Sequence, residues 1–206
     1  TVVLFLAAHG TVETAGSRGA YILTFDSDPQ DLASTALPMA DVQALIRDKL
    51  SSVGRVLVFV DVCRAGNIGA IRSTMVNAVV ERLGEAEGEI LGLMASRPKE
   101  LSFEGPEFGG GHGAFSYFLL KALSGAADKN QDKMVDANEI IAYVRDKVAE
   151  ATRDRQHPRD FGSLANDVGL ADVSKPGSEV AQWPAPARAG DHLVYLAALG
   201  EPPPLA

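Results

Sequence analysis

Four short runs of the chain are apolar at nearly every position: residues 2–8 (VVLFLAA), 20–25 (AYILTF), 55–61 (RVLVFVD) and 89–95 (EILGLMA). β-Branched and aromatic residues are frequent in them, and continuous rather than alternating hydrophobicity is what a strand needs when both faces of its sheet are covered. The intervening segments have another rhythm. In 40–50 (ADVQALIRDKL), 68–83 (IGAIRSTMVNAVVERL), 114–124 (AFSYFLLKALS) and 138–152 (NEIIAYVRDKVAEAT) apolar residues recur every three or four positions, the period of an amphipathic helix. Strand alternating with helix predicts βαβ crossovers and an α/β fold, a three-layer sandwich in which helices flank a mainly parallel sheet.

Two segments break both rhythms. Residues 98–113, with "FGGGHG", are too rich in glycine for a regular element and read as a mobile surface loop of the kind that carries function. From about Leu170 six of the eleven prolines accumulate, so 169–206 reads as a Pro-rich tail behind a domain of residues 1–168, with "DHLVYLAAL" (191–199) a candidate edge strand and Trp183 a candidate anchor.

At 206 residues and 46% apolar composition, the chain can bury the core of one sizeable domain. A net charge of −8 speaks against a nucleic-acid grip, which needs clustered Lys and Arg. A single cysteine excludes an internal disulfide, and no 18-residue apolar span or signal-peptide pattern is present, so a cytoplasmic protein with no membrane partner is expected.

That cysteine, Cys63, ends an apolar run as "VLVFVDVCRAGN". In an open α/β sheet, ligands bind where strands finish and loops begin, and the first strand finishes in Ala8-His9-Gly10. If the two strands are parallel neighbours, imidazole and thiol share a rim. A thiol is mostly protonated at neutral pH, so a nucleophilic Cys63 needs a base such as His9. Backbone N–H groups of Gly10 and Cys63 are the natural oxyanion donors. A buried cysteine that merely packs is the plainer alternative, but a His 54 positions ahead of a Cys, both closing hydrophobic strands, favours the pair.

Asp61 lies two positions before Cys63, about 6–7 Å away on the same face by strand geometry. A carboxylate there disfavours a thiolate. It is better suited to receiving a cation, such as a substrate Arg or Lys, the alternative being a cap for the following turn. Asp26, in "FDSDP", is a second candidate acid for that pocket, or a turn-former ahead of Pro29. His112 competes with His9 as base, but its glycine-flanked loop lacks the fixed geometry a base needs.

Residues 128–139 (DKNQDKMVDANE) place Asp128, Asn130, Asp132, Asp136 and Glu139 at positions 1, 3, 5, 9 and 12 of an EF-hand-type loop, oxygen ligands suited to Ca2+. Position 6, normally glycine, is Lys133, which costs about 1–2 kcal/mol in a left-handed conformation and adds charge beside the ion. Weak calcium binding or a polar helix connector are the two expectations, and no cofactor is required by the cysteine chemistry.

"VVLFLAAHG", "AYILTFDSDPQDLASTALP", "VLVFVDVCRAG", "GLMASRPKELSFE", "GGGHGAFSYFLLKAL" and "RQHPRDFG" follow in an order and spacing that resemble caspase-like cysteine peptidases, especially bacterial members related to metacaspases and paracaspases. The resemblance covers about residues 2–162 and implies a dyad of His9 and Cys63. It also implies an S1 pocket lined by Asp61 and hence cleavage after Arg or Lys; true caspases carry Gln there and prefer Asp. Ala65 departs from relatives that have Ser at that place. Relatives usually begin with a further strand and helix before the His strand, so the resemblance also implies a preceding segment or second chain completing the sheet. Arg97 and Lys99 fall in a candidate self-cleavage loop. The expectation is a cysteine endopeptidase acting on protein substrates with a basic P1 residue; the alternative is a catalytically silent caspase-like module for interaction or calcium response.

Overall fold

A computed structural model describes residues 1–12, 19–50, 52, 54–64, 89–97, 100–165, 167–174 and 194–198. The predicted helix over 68–83, Lys99 and Trp183 lie outside the described residues. The main sheet is built on three parallel strands, β1 (Val2–Val12), β4 (Val56–Arg64) and β5 (Ile90–Met94), with β4 in the middle. Val56 to Val60 of β4 are all buried, side chains on both faces, which is why this run is apolar without alternation.

The flanks are antiparallel. On one side β2 (Ala20–Leu23) pairs with residues 9–12 of β1 and then with the two-residue β3 (Leu37–Pro38). On the other, β7 (Arg159–Ser163) pairs with β5. The order is β3-β2-β1-β4-β5-β7. The first strand therefore runs four residues past its expected end at Ala8, because β2 supplies a ladder partner for the more polar His9–Val12 stretch. The expected edge strand forms as β9 (Val194–Ala198), antiparallel to Val2–Leu6 of β1. Over that stretch the edge expected to need another segment or chain carries one from this chain.

Each sheet face has its own core. Leu4, Leu6, Val58, Val60, Ile90 and Met94 pack with Met39, Val42 and Ile46 of α2 (Met39–Leu45) and the wider turn that continues it through Leu50. Leu57, Phe59 and Leu93 pack on the opposite face with Phe115 and Leu119 of α3 (Ala114–Lys121) and Ile140, Val144 and Val148 of α4 (Ala137–Ala151). Together with the short α1 (Leu32–Thr35), these layers form the expected sandwich. The apolar residues of α4 recur at helical spacing, and its start is set by a reciprocal cap: Asp136 accepts from the Glu139 backbone N–H at 2.8 Å, while Glu139 accepts from that of Asp136 at 3.3 Å. A small second sheet pairs β6 (Met134–Asp136) with β8 (Gly169–Asp172), so the first residues beyond 168 add to the described structure. Among the described residues no helix is long and apolar enough to cross a membrane.

Candidate active site

β1 and β4 are where the sheet changes direction: the chain leaves β1 for β2 on one side, while β4 is followed in the sheet by β5 on the other. Diverging connections open a crevice at the carboxyl ends of such strands. The register is decisive for what lines it. Ala7 is opposite Asp61, His9 is opposite Cys63, and Gly10 is opposite Arg64. Neighbouring strands in a sheet lie about 4.8 Å apart, so the backbones of His9 and Cys63 are adjacent although 54 residues separate them in sequence. Gly10 also faces Ile22 of β2, within the ladder rather than beyond it.

β5 pairs with β4 only as far as Val60 and Met94, where the Ala95 N–H donates to the Val60 carbonyl at 2.8 Å. Residues 61–64 therefore project beyond their neighbour on that side. Positions 57, 59 and 61 share the face occupied by α3 and α4, as Leu57 and Phe59 show. Asp61 is only 5% exposed. The Ser116 hydroxyl of α3 donates to its Oδ2 at 2.6 Å. Gly113, the residue that caps α3, approaches so closely that a Cβ there would lie 2.6 Å from the same oxygen. Ser116 and Gly113 were not singled out by sequence reasoning. The available signal was one hydroxyl in the otherwise apolar start of a helix, immediately after a glycine.

The glycine-rich segment folds as a compact turn. Gly109, Gly110 and Gly111 all have positive φ, the His112 N–H donates to the Phe108 carbonyl at 3.1 Å, and Glu104 bridges to Gly113. Buried Phe108 anchors it against the rings of Tyr117 and Phe118, 6.0 and 6.2 Å away between centroids. His112 thus sits beside the glycine that touches Asp61. Asp26 is elsewhere: it occupies the exposed turn after β2, where its Oδ1 accepts from the Thr24 hydroxyl at 2.8 Å, and Asp28 accepts from the Gln30 N–H at 2.8 Å. Because β2 is antiparallel to β1, this turn lies past Leu23, which is opposite His9, and leads away from the β1 carboxyl end.

Behind the rim, two residues from the turn after α4 hold the segment that leaves β5. Gln156 is fully buried; its Nε2 donates to the Ala95 carbonyl at 2.9 Å and its Oε1 accepts from the Phe103 N–H at 2.7 Å. His157 lies between two carboxylates, Nδ1 at 2.8 Å from Glu100 and Nε2 at 2.9 Å from Asp154, and its backbone N–H also meets Glu100. Hydrogen bonding to Asp154, then to Glu100, raises its pKa above the usual histidine range, with burial and Arg97 opposing. Arg97 of the candidate self-cleavage loop donates its N–H to the same Glu100 at 3.2 Å.

The 128–139 loop has the turn geometry of its spacing. Lys133 is left-handed, with φ 72°, and its N–H donates to Asp128 Oδ2 at 3.2 Å. The Met134 N–H meets Asp132, while the Lys129 and Asn130 N–H groups meet Glu139 Oε1. Asp128 Oδ1 is buried with no hydrogen-bond partner. Among the described residues, no three His, Cys, Asp or Glu side chains are grouped to hold a metal ion. A cavity of about 400 Å³ between β7 and α4, lined by Leu91, Asn138, Arg145, Asp160 and Asp167, shares no residue with the His9 rim.

Comparison with known proteins agrees with this architecture. No curated protein matches the chain. A solved structure, protein GSU0716 from Geobacter sulfurreducens, is similar in fold, with a TM-score of 0.50 and 17% sequence identity over 83% of this chain and 70% of that one. The caspase domain profile matches residues 1–168. With a parallel β1-β4-β5 centre, helices on both faces and most of its length within that profile, the chain belongs to the caspase domain family.

Proposed function

We propose that the chain is a cysteine endopeptidase in which His9 and Cys63 form the catalytic dyad and Asp61 receives an Arg or Lys at the P1 position. The observation that carries this reading is the register of β1 against β4, which seats residue 9 opposite residue 63 where the connections diverge. His9 takes the thiol proton of Cys63. The sulfur attacks the carbonyl carbon of the peptide bond after the basic residue, forming a tetrahedral oxyanion. His9 returns the proton to the departing amine, leaving a thioester. Water, deprotonated by His9, then hydrolyses it and frees the thiol.

Asp61 supports the basic specificity through its environment. A buried carboxylate is expensive to ionise unless charged or hydrogen-bonding partners compensate, and a substrate cation entering beside it supplies a charged one. Asp26 accepts from the Thr24 hydroxyl within its own turn, so this reading builds the pocket on Asp61. Nor does the dyad route any step through calcium; the 128–139 loop is a separate element at the start of α4.

The test is turnover of fluorogenic peptides that differ only in P1. Wild-type protein should cleave Arg and Lys peptides and leave the Asp peptide intact, and Cys63→Ala and His9→Ala should abolish turnover. Absence of Cys63-dependent cleavage of any basic peptide, with and without calcium, would replace this reading by a silent caspase-like module.

A further inference from the structure

We propose that Ser116 and Gly113 are positioning residues for substrate recognition: together they fix the plane of the Asp61 carboxylate, and thereby make the S1 pocket favour arginine over lysine. This rests on the reading of Asp61 as the P1 acid.

The strand alone leaves the Asp61 side chain free to rotate about its own bonds. Three contacts from one helix end remove that freedom. The Ser116 hydroxyl donates to Oδ2 at 2.6 Å, within the short range of an O–H group bonded to an ionised oxygen. Gly113 closes on the same oxygen from another side, with no room for a Cβ between them. The first turn of α3 presents its positive dipole end at this point, which favours the anionic carboxylate. Phe115 and Leu119, both buried in the core against the sheet, hold the helix itself, so the cradle is built on a rigid element rather than on a loop.

A fixed carboxylate plane matters unequally for the two basic side chains. Guanidinium is planar and binds carboxylates in a fork, so its hydrogen bonds require a matching plane; ammonium is a compact charge with rotatable donors and tolerates misalignment. Loss of the Ser116 hydroxyl should therefore weaken Arg recognition more than Lys recognition.

The experiment measures kcat and KM for Arg and Lys peptides with wild type, Ser116→Ala, Ser116→Thr, Gly113→Ala and Asp61→Asn, alongside the rate of Cys63 alkylation by iodoacetamide, which has no P1 group. Ser116→Ala should lose about tenfold in kcat/KM on the Arg peptide, mostly through KM, and only about threefold on the Lys peptide, from the weight of one hydrogen bond to a charged group. Ser116→Thr should restore the Arg preference, and alkylation should be unchanged. Gly113→Ala should shift the preference the same way; should it fail to fold, the serine pair still decides the matter. If Asp61→Asn abolishes basic turnover while Ser116→Ala keeps the wild-type Arg-to-Lys ratio, the cradle is refuted and the S1 reading stands. If Asp61→Asn cleaves basic peptides normally, or wild type cleaves none, both fall.

Discussion

Replacing Gln156 by leucine asks whether the rim is held from behind by one buried amide. The side chain joins three separated parts of the fold: the turn after α4, the exit of β5 at Ala95, and Phe103 on the way to the glycine-rich turn. Leucine approximates the volume, and the backbone N–H of residue 156 keeps its bond to the Thr152 hydroxyl at 3.1 Å, so the substitution isolates the amide. It leaves the carbonyl of buried Ala95 and the N–H of half-buried Phe103 without their partner. A stranded buried polar group costs about 1–3 kcal/mol; with the Phe103 group at the low end, the expected loss is about 2–4 kcal/mol. For a chain of this size each kcal/mol moves Tm by about 2–4 °C, so a fall of roughly 5–15 °C is expected in thermal unfolding followed by circular dichroism. Limited proteolysis should find cuts within residues 97–113 sooner than in wild type. A Tm within about 1 °C of wild type, well below the shift one stranded group would cause, would refute the claim that this amide holds the segment.

Two further outcomes test neighbouring elements. His157 gains two carboxylate partners on folding and its pKa is raised, so its contribution to stability is present in full below its unfolded value near 6.5 and is lost as pH rises through the folded value; Tm measured across neutral to alkaline pH should decline more in wild type than in His157→Gln, and parallel profiles would contradict the assignment. Asp136→Ala should lose about 1 kcal/mol in EDTA, the weight of a helix N-cap, read from urea unfolding; an extra loss seen only with added calcium would place an ion in the loop, and no loss in EDTA would remove the cap from the explanation.

The parts of the fold that could be read from sequence are those whose partners repeat. The run from Val56 to Val60 is buried on both sides and therefore apolar throughout, and α4 shows its inward face at Ile140, Val144 and Val148 because three turns contact the same sheet. β7 was invisible for the opposite reason: in RDFGS only Phe161 is fully buried, its ring lying across Gly92 of the neighbouring strand, while Asp160 is half-buried beside Arg145 of α4 and the rest are exposed. In the candidate site, the pairing of His9 with Cys63 across β1 and β4 could be sought from sequence because each closes an apolar run. Ser116, Gly113, Gln156 and His157 were not. Each acts through a contact with residues 52 to 61 positions away, and no periodicity records a pairing between one residue and one distant oxygen. Asp26 shows the limit from the other direction, since an aspartate that closes its own turn carries the same letter as one that awaits a ligand.

The pairing of β9 with β1 has a consequence for the order of assembly. Val2–Leu6 precedes Val194–Ala198 by about 190 residues, so this half of β1 must wait for the intervening chain to be synthesised before it meets that neighbour. The hairpin with β2 over His9–Val12 closes at once by comparison. Such a long-range ladder is slow to zip because of the chain entropy lost on closing so large a loop. Until then, the hydrogen-bonding groups along the outer side of Val2–Leu6 face water or any other strand that reaches them, and β9 arrives as the latch on strands that precede it in the chain.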